Sequence, residues 1–304
     1  MRRFWPLLLF VVIFLISLSQ YKSNQPVSSD IQNTEYQRII SLSPSVTETV
    51  YALGAGDRLI AVTDYCEYPP EAQALPSIGG YMDPSLETIV SLQPELVILL
   101  QTQQTLRQQL SALGIATHSV DTSTLNGVEA AIVSIGDLTH KQQQSSILLN
   151  DIHARAKKVQ SKVADKPPVR TLISIAHYAI GEKLSTIYVA GQQDFYNDLL
   201  QLAGGQNVFT DPRIKVPSIT EEGIIRLNPD VIIDVFPEAD DHNTDMNLVK
   251  QQWMTLQAVN AVKDDRIHII QHDYASVPGP RVFQLLTEFA RLLHPELDWS
   301  DMDD

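Results

Sequence analysis

Asp83-Pro84-Ser85-Leu86-Glu87-Thr88-Ile89-Val90-Ser91-Leu92-Gln93-Pro94-Glu95-Leu96-Val97-Ile98 returns, 135 positions later, as Ser218-Ile219-Thr220-Glu221-Glu222-Gly223-Ile224-Ile225-Arg226-Leu227-Asn228-Pro229-Asp230-Val231-Ile232-Ile233. Each copy reads as a capped helix, a proline break and a buried strand, with Asp83 and Ser218 as the expected N-caps. A unit repeated once at so long a period implies two similar lobes, because solenoid repeats recur every ~20–50 residues. Two lobes leave a cleft between them, and a cleft is where a ligand sits.

The same order of elements extends outward from both copies. Arg38-Ile39-Ile40-Ser41-Leu42 reads as a strand, followed by Ser43-Pro44 and by Ser45-Val46-Thr47-Glu48, which has the pattern of a capping box. Leu59–Thr63 and Ala116–Val120 read as further strands, and Thr105–Leu113 as a helix. Arg170-Thr171-Leu172-Ile173-Ser174 restarts the pattern, with a helix over Asp194–Leu202 and a late strand in Asp264–Ile270. Alternating strands and helices predict parallel sheets. Between the two units, Leu138–Ala164 lacks glycine and proline, and Ile147, Leu148, Ile152, Ala156, Val159 and Val163 recur at helical spacing. One helix of about 25 residues, on the order of 38 Å, is expected there as a stiff strut. The fold class is therefore α/β: two Rossmann-like lobes with parallel sheets, joined by one long rigid helix, with the cleft between them. The expected divisions are 37–136 and 167–304 for the lobes and 137–166 for the connecting helix.

The 304 residues suit two domains, and 44% hydrophobic content is enough for two cores. A net charge of −14 argues against nucleic acid, whose phosphates need a basic surface. Met1-Arg2-Arg3 before the apolar run Phe4–Leu18 predicts a secretory signal over 1–20 or, because Ser17-Leu18-Ser19-Gln20 is a poor cleavage site, an uncleaved anchor. Residues 21–36 read as a polar lead-in. Cys66 is the only cysteine, so no intrachain disulfide forms, and a buried inert thiol is expected.

Ser43-Pro44-Ser45-Val46-Thr47-Glu48, Tyr68-Pro69-Pro70-Glu71-Ala72, Leu86-Glu87-Thr88-Ile89, Gln93-Pro94-Glu95-Leu96-Val97, Ala203-Gly204-Gly205 and Gly279-Pro280-Arg281 stand in an informative order. Taken together, over Arg38–Pro295, they resemble the periplasmic substrate-binding proteins of the helical-backbone class (class III), which serve ABC importers of cobalamin, ferric siderophores and haem. Thr63-Asp64-Tyr65-Cys66-Glu67-Tyr68-Pro69-Pro70 and Asp273-Tyr274 resemble the cobalamin-binding members most. The resemblance implies a monomeric, periplasmic protein with no cofactor of its own and little hinge closure. It would carry a metal chelate to a permease dimer whose ATPase subunits are separate chains.

On that resemblance, Tyr65, Tyr81, Tyr188, Asp273 and Tyr274 are the expected ligand contacts: flat aromatic walls with a few polar tips. Val216 and Val277 stand where the cobalamin binders carry an aromatic and an arginine, so a ferric siderophore or haem remains the alternative. Anionic siderophores favour arginine clusters, and the expected cleft offers chiefly Arg213 and Arg281, which points to a neutral or mildly cationic ligand. Glu87 and Glu222, at matching places in the two copies, are expected to dock on the permease; acids in a first helical turn also complement the helix dipole. His177, beside Tyr178, is a candidate axial ligand to a chelated metal, against the alternative of a hydrogen-bonded loop histidine. His118, His242 and His272 show no metal-ligand spacing, and Glu238–Asp245 reads as a solvated acidic insertion. No Gly-x-Ser-x-Gly elbow, Walker A loop or His-Glu-x-x-His stands in the chain, which argues against an enzyme; a corrinoid-processing enzyme is the remote alternative.

Overall fold

The computed structural model describes residues 35–180, 183–236 and 245–302, so the expected signal segment, most of the lead-in, His242 and nearly all of the acidic insertion lie outside the described residues. Tyr36–Asp304 forms one compact unit. The first lobe runs β1 (Ile39–Ser41), α1 (Pro44–Ala52), β2 (Leu59–Ala61), α2 (Leu86–Ser91), β3 (Leu96–Leu100), α3 (Gln104–Ala112) and β4 (Thr117–Val120). Then come α4 (Leu125–Leu138) and the long α5 (Gln142–Val163). The second lobe runs β5 (Val169–Ile180), β6 (Lys183–Val189), α6 (Phe195–Leu202), β7 (Gly205–Asn207), β8 (Ser218–Ile219), α7 (Glu221–Leu227) and β9 (Val231–Val235). It ends with α8 (Met246–Met254), α9 (Asn260–Lys263), β10 (Ile267–Ile270) and α10 (Val282–Leu293).

The first sheet has order β2-β1-β3-β4 and all its pairs are parallel. Its central strands β1 and β3 are buried on both faces, as parallel strands between helices require, while the edge strand β4 is half-buried. Ile39, Leu96 and Ile98 pack with Val46, Val50, Ile132 and Ile152, while Ile40, Val97 and Leu99 pack with Ile89 and Leu110 on the other side.

The second sheet, β10-β9-β5-β6-β8 with β7 also on β5, departs from the expected all-parallel form. β10, β9, β5 and β7 are parallel, but β5 and β6 make an antiparallel hairpin that β8 extends. Thr186-Ile187-Tyr188-Val189 is a β-branched and aromatic run that suits such a strand. His177 and Tyr178, expected on a loop, are therefore strand residues.

The connecting helix is shorter than expected. α5 has 22 residues, about 33 Å, and a break at Thr139–Lys141 separates it from α4. There the Thr139 hydroxyl donates to the Ile135 carbonyl at 2.7 Å and His140 adopts φ 52°, a left-handed turn made without glycine. α5 still serves both lobes, since Ile152 belongs to the first lobe's core and Val159 and Val163 to the second's. Its basic face is covered by the C-terminal segment: Lys158 and Lys162 pair with Asp301, Lys166 pairs with Glu296, and Trp299 is buried under Lys162.

Candidate ligand-binding cleft

Strands of both sheets direct their C-terminal ends at one cavity of about 940 Å³. From the first lobe come Ser43 and Ser45 after β1, Tyr65, Glu67 and Tyr68 after β2, and Leu100 at the end of β3. The segment Gly80-Tyr81-Met82-Asp83 lies before α2 on the same side. From the second lobe come Gln271, His272, Asp273, Val277 and Arg281, all after β10. The carboxyl ends of parallel strands are where α/β folds hold their ligands, and the volume suits a large small molecule.

The floor is an ion pair between lobes. Arg281 donates through Nε and Nη2 to the two Glu48 oxygens at 2.9 and 2.6 Å, and its Nη2 lies 2.8 Å from Asp273 Oδ2. The Tyr68 ring covers the guanidinium at 3.9 Å, a cation–π contact across the cleft. Burial pushes the Glu48 carboxyl up further than Arg281 pulls it down. Burial would also raise Asp273, but the Arg281 hydrogen bond and charge outweigh it and hold that carboxyl below its ordinary value. We read the group as ionised throughout, because the fork-to-fork geometry and short distances are those of a charge-assisted pair. The local fold leaves Glu48 available to Arg281. The α1 cap is Ser43, whose hydroxyl accepts from Val46 N at 3.3 Å, so no Ser45–Glu48 capping box forms. A second bridge joins the lobes where Leu125 N donates to Asp198 Oδ2 at 2.9 Å, and Phe283 of α10 packs against the first lobe's core.

A family model described as periplasmic binding protein matches residues 39–274. The chain belongs to the periplasmic binding protein family. A vitamin B12-binding protein of Vibrio cholerae is 26% identical over 259 residues, covering 84% of this chain and 89% of that one. An uncharacterized ABC transporter substrate-binding lipoprotein of Bacillus subtilis is 28% identical over 282 residues, covering 90% and 84%. Among solved structures, the periplasmic vitamin B12 binding protein of Vibrio cholerae superposes with a TM-score of 0.71 at 25% identity, covering 86% of this chain and 97% of that one. This periplasmic binding protein is thus an exported substrate-binding protein and not an enzyme.

In this binding protein, Tyr65, Tyr81 and Asp273 line the cavity. Tyr81 is held by its hydroxyl, 2.8 Å from Thr102 Oγ1, and by Gln103 Nε2 donating to its carbonyl at 3.0 Å. Tyr274 and Tyr188 are not among the residues that line the cavity, although the Tyr274 ring stacks on His272, which does, at 5.0 Å. Tyr274 turns to α10, where its hydroxyl donates to Glu288 Oε2 at 3.0 Å. Tyr188 sits on the β5–β6 hairpin against the edge of Tyr178. His177, the candidate axial ligand, is also not among the lining residues. Its side chain is 3% exposed, with Nδ1 3.4 Å from Asp234 Oδ2 and its ring against Phe236 and Trp253. Val277 lines the cavity, and Val216 is exposed outside it. Arg213 is also outside, paired with Asp211. Among the described residues no cluster of histidine, cysteine and acids could hold a metal ion. Cys66 is buried beside the Thr47 and Thr63 hydroxyls, and burial pushes its thiol up, away from reactivity.

The two candidate docking acids keep their spacing but change place within their helices. The caps are Ser85, which accepts from Thr88 N, and Thr220, which accepts from Gly223 N, not Asp83 and Ser218. Ser218 belongs to β8, so it makes no capping box with Glu221. Glu87 and Glu222 thus occupy the second helical position and both are exposed. One turn on, Val90 and Ile225 are exposed at 42% and 43%, so each lobe presents the same acid-plus-aliphatic pair. Sequence reading missed these two aliphatics, although the repeat itself contained the signal. It also missed Glu48 and Tyr68 as parts of the floor.

Proposed function

We propose that the cleft captures a corrinoid, most simply cobalamin, and that the protein delivers it to the permease of an ABC importer whose ATPase subunits are separate chains. Tyr65 and Tyr81 facing the Asp273 loop across the cavity carry the reading, since a corrinoid presents a broad apolar face with polar edges. The vitamin B12-binding relatives support the same ligand. Glu87 with Val90 on one lobe and Glu222 with Ile225 on the other form the surface that meets the permease dimer. The protein acts in the periplasm as a monomer, and Phe4–Leu18 is the segment that would tether it if uncleaved. Calorimetric titration with cyanocobalamin, beside haem and ferric siderophores, tests the reading. One-to-one cobalamin binding in the sub-micromolar range, about −8 kcal/mol or better, is expected. Saturation by another chelate with no response to cobalamin would replace the corrinoid.

A further inference from the structure

We infer that the cleft selects its chelate by charge, accepting a neutral or cationic ligand and rejecting an anionic one, with Glu67 and Asp83 as the residues that set the preference. The inference rests on the proposed corrinoid reading for the ligand's identity, while its charge rule stands on the cavity lining. Glu48, Glu67, Asp83 and Asp273 face that space; Arg281 is the only arginine among the lining residues, no lysine is there, and the one lining histidine, His272, stacks on Tyr274 with its Nε2 4.0 Å from Glu288 Oε1. Arg281 has no charge to offer, because it binds Glu48 through two nitrogens, pairs with Asp273 and is capped by the Tyr68 ring. Placing an anion against it would require breaking a pair already made.

Glu67 and Asp83 differ from the floor carboxylates. Both are exposed, and neither side chain has a hydrogen bond or ion pair among the described residues. Asp83 leans over the chain at Gly80, where an added Cβ would stand 2.6 Å from Asp83 Oδ1 and 3.9 Å from the Tyr65 ring. The free carboxylate and the aromatic wall therefore flank one point. A carboxylate beside an aromatic ring favours a positive group and repels a negative one. At roughly 8 Å, through an effective dielectric of about 50–60 for such exposed groups, each unpaired carboxylate changes the affinity for a unit charge roughly threefold, so the two together change it about tenfold. The chain's net charge of −14 acts in the same direction during approach.

The test uses the full-length chain and one ligand shape carrying three charges. Cyanocobalamin has no net charge, its monocarboxylate has one side-chain amide replaced by a carboxylate, and coupling that carboxylate to ethylenediamine leaves a terminal ammonium. The anionic form is expected to bind roughly tenfold more weakly than cyanocobalamin, and the cationic form at least as tightly. Raising salt from about 0.01 M to about 0.5 M should narrow the spread. In the Glu67→Gln, Asp83→Asn double variant the ratio of cation to anion affinity should collapse towards one. Equal or tighter binding of the anion overturns the charge rule, and an unchanged ratio in the double variant overturns its assignment to these two residues. If no corrinoid binds, the corrinoid reading fails separately, and the charge rule is decided by cationic ferrioxamine B against haem with its two propionates; preference for haem overturns it.

Discussion

At the scale of single residues, Arg281 holds the floor of the cleft together. It is charged, largely buried and matched to a Glu48 side chain with 2% exposure. Removing one member of a buried pair strands the other, which costs about 3–5 kcal/mol, far more than an exposed pair contributes. Arg281→Met is therefore expected to lower unfolding stability by that amount in urea titrations, and adding Glu48→Gln should recover part of it. An unaltered midpoint in the single variant would mean that the pair does not hold the floor. Asp194, the cap of α6, shows a different balance. Its carboxyl accepts from Tyr196 N at 3.0 Å, but burial pushes it up to about 6 from 3.8. A carboxyl with a raised folded-state value stabilises the fold below its unfolded value, near pH 4, and that contribution is lost as pH rises through 6. The charged form at neutral pH then costs about 3 kcal/mol. Asparagine caps equally well without the charge. Asp194→Asn should gain stability over the native chain at about pH 7 and lose the gain near pH 4, as read by denaturation at both values. A difference independent of pH would contradict it.

Among elements, what could be read in the sequence was what short-range chemistry dictates. Each copy of the repeat gave its helix and its strand, because a proline break and a run of valine and isoleucine act on near neighbours, though both caps stand two residues later than expected. The start of α5 was not legible: His140 turns the chain left-handed with neither glycine nor proline to mark it. The β5–β6 hairpin was also missed, although Gly181-Glu182 between two strand-like runs is the sequence of a two-residue hairpin loop. In the cleft, loop aromatics could be named from motifs, but Glu48 and Arg281 are 233 positions apart and meet only through the fold. Sequence distance carries no information about such a pair. Gly204, by contrast, is a legible position with a structural reason. It has φ 80° after α6, where a Cβ would stand 2.6 Å from His294 Nε2 and 3.1 Å from Val163 of α5. Gly204→Ala would combine an unfavourable backbone with overpacking at the joint of α6, α5 and the C-terminal segment. A loss of about 2–3 kcal/mol is expected in equilibrium unfolding. A loss below about 0.5 kcal/mol would show that the joint yields.

For the molecule as a whole, α5, α10, the Leu125–Asp198 bridge and the Arg281–Glu48 pair join the lobes at four places, and this sets how the protein can work. A binder whose lobes swing apart would present docking points at variable separation. Here Glu87 and Glu222 stand on short helices packed on the two sheets, through Ile89 and Ile224, which are both fully buried. Their separation is then fixed by the same contacts that fix the lobes, and under the proposed delivery function a two-fold permease would read it as a ruler. On the proposed delivery function, the acids steer and orient the encounter, while Val90 and Ile225 supply the small apolar centres that a docked interface buries. The two contributions are separable. Glu87→Ala with Glu222→Ala should slow association with permease vesicles, and the remaining rate should lose most of its salt dependence. Val90→Asp with Ile225→Asp should instead shorten the lifetime of the docked complex, placing a desolvated charge at each apolar centre. Neither pair lines the cleft, so ligand affinity should stay within about twofold in both variants, less than about 0.5 kcal/mol. Surface resonance against the reconstituted permease, with ligand titration alongside, reads all three quantities. A fall in ligand affinity would place these residues in the binding site, and unaltered docking kinetics in both variants would remove them from the delivery surface.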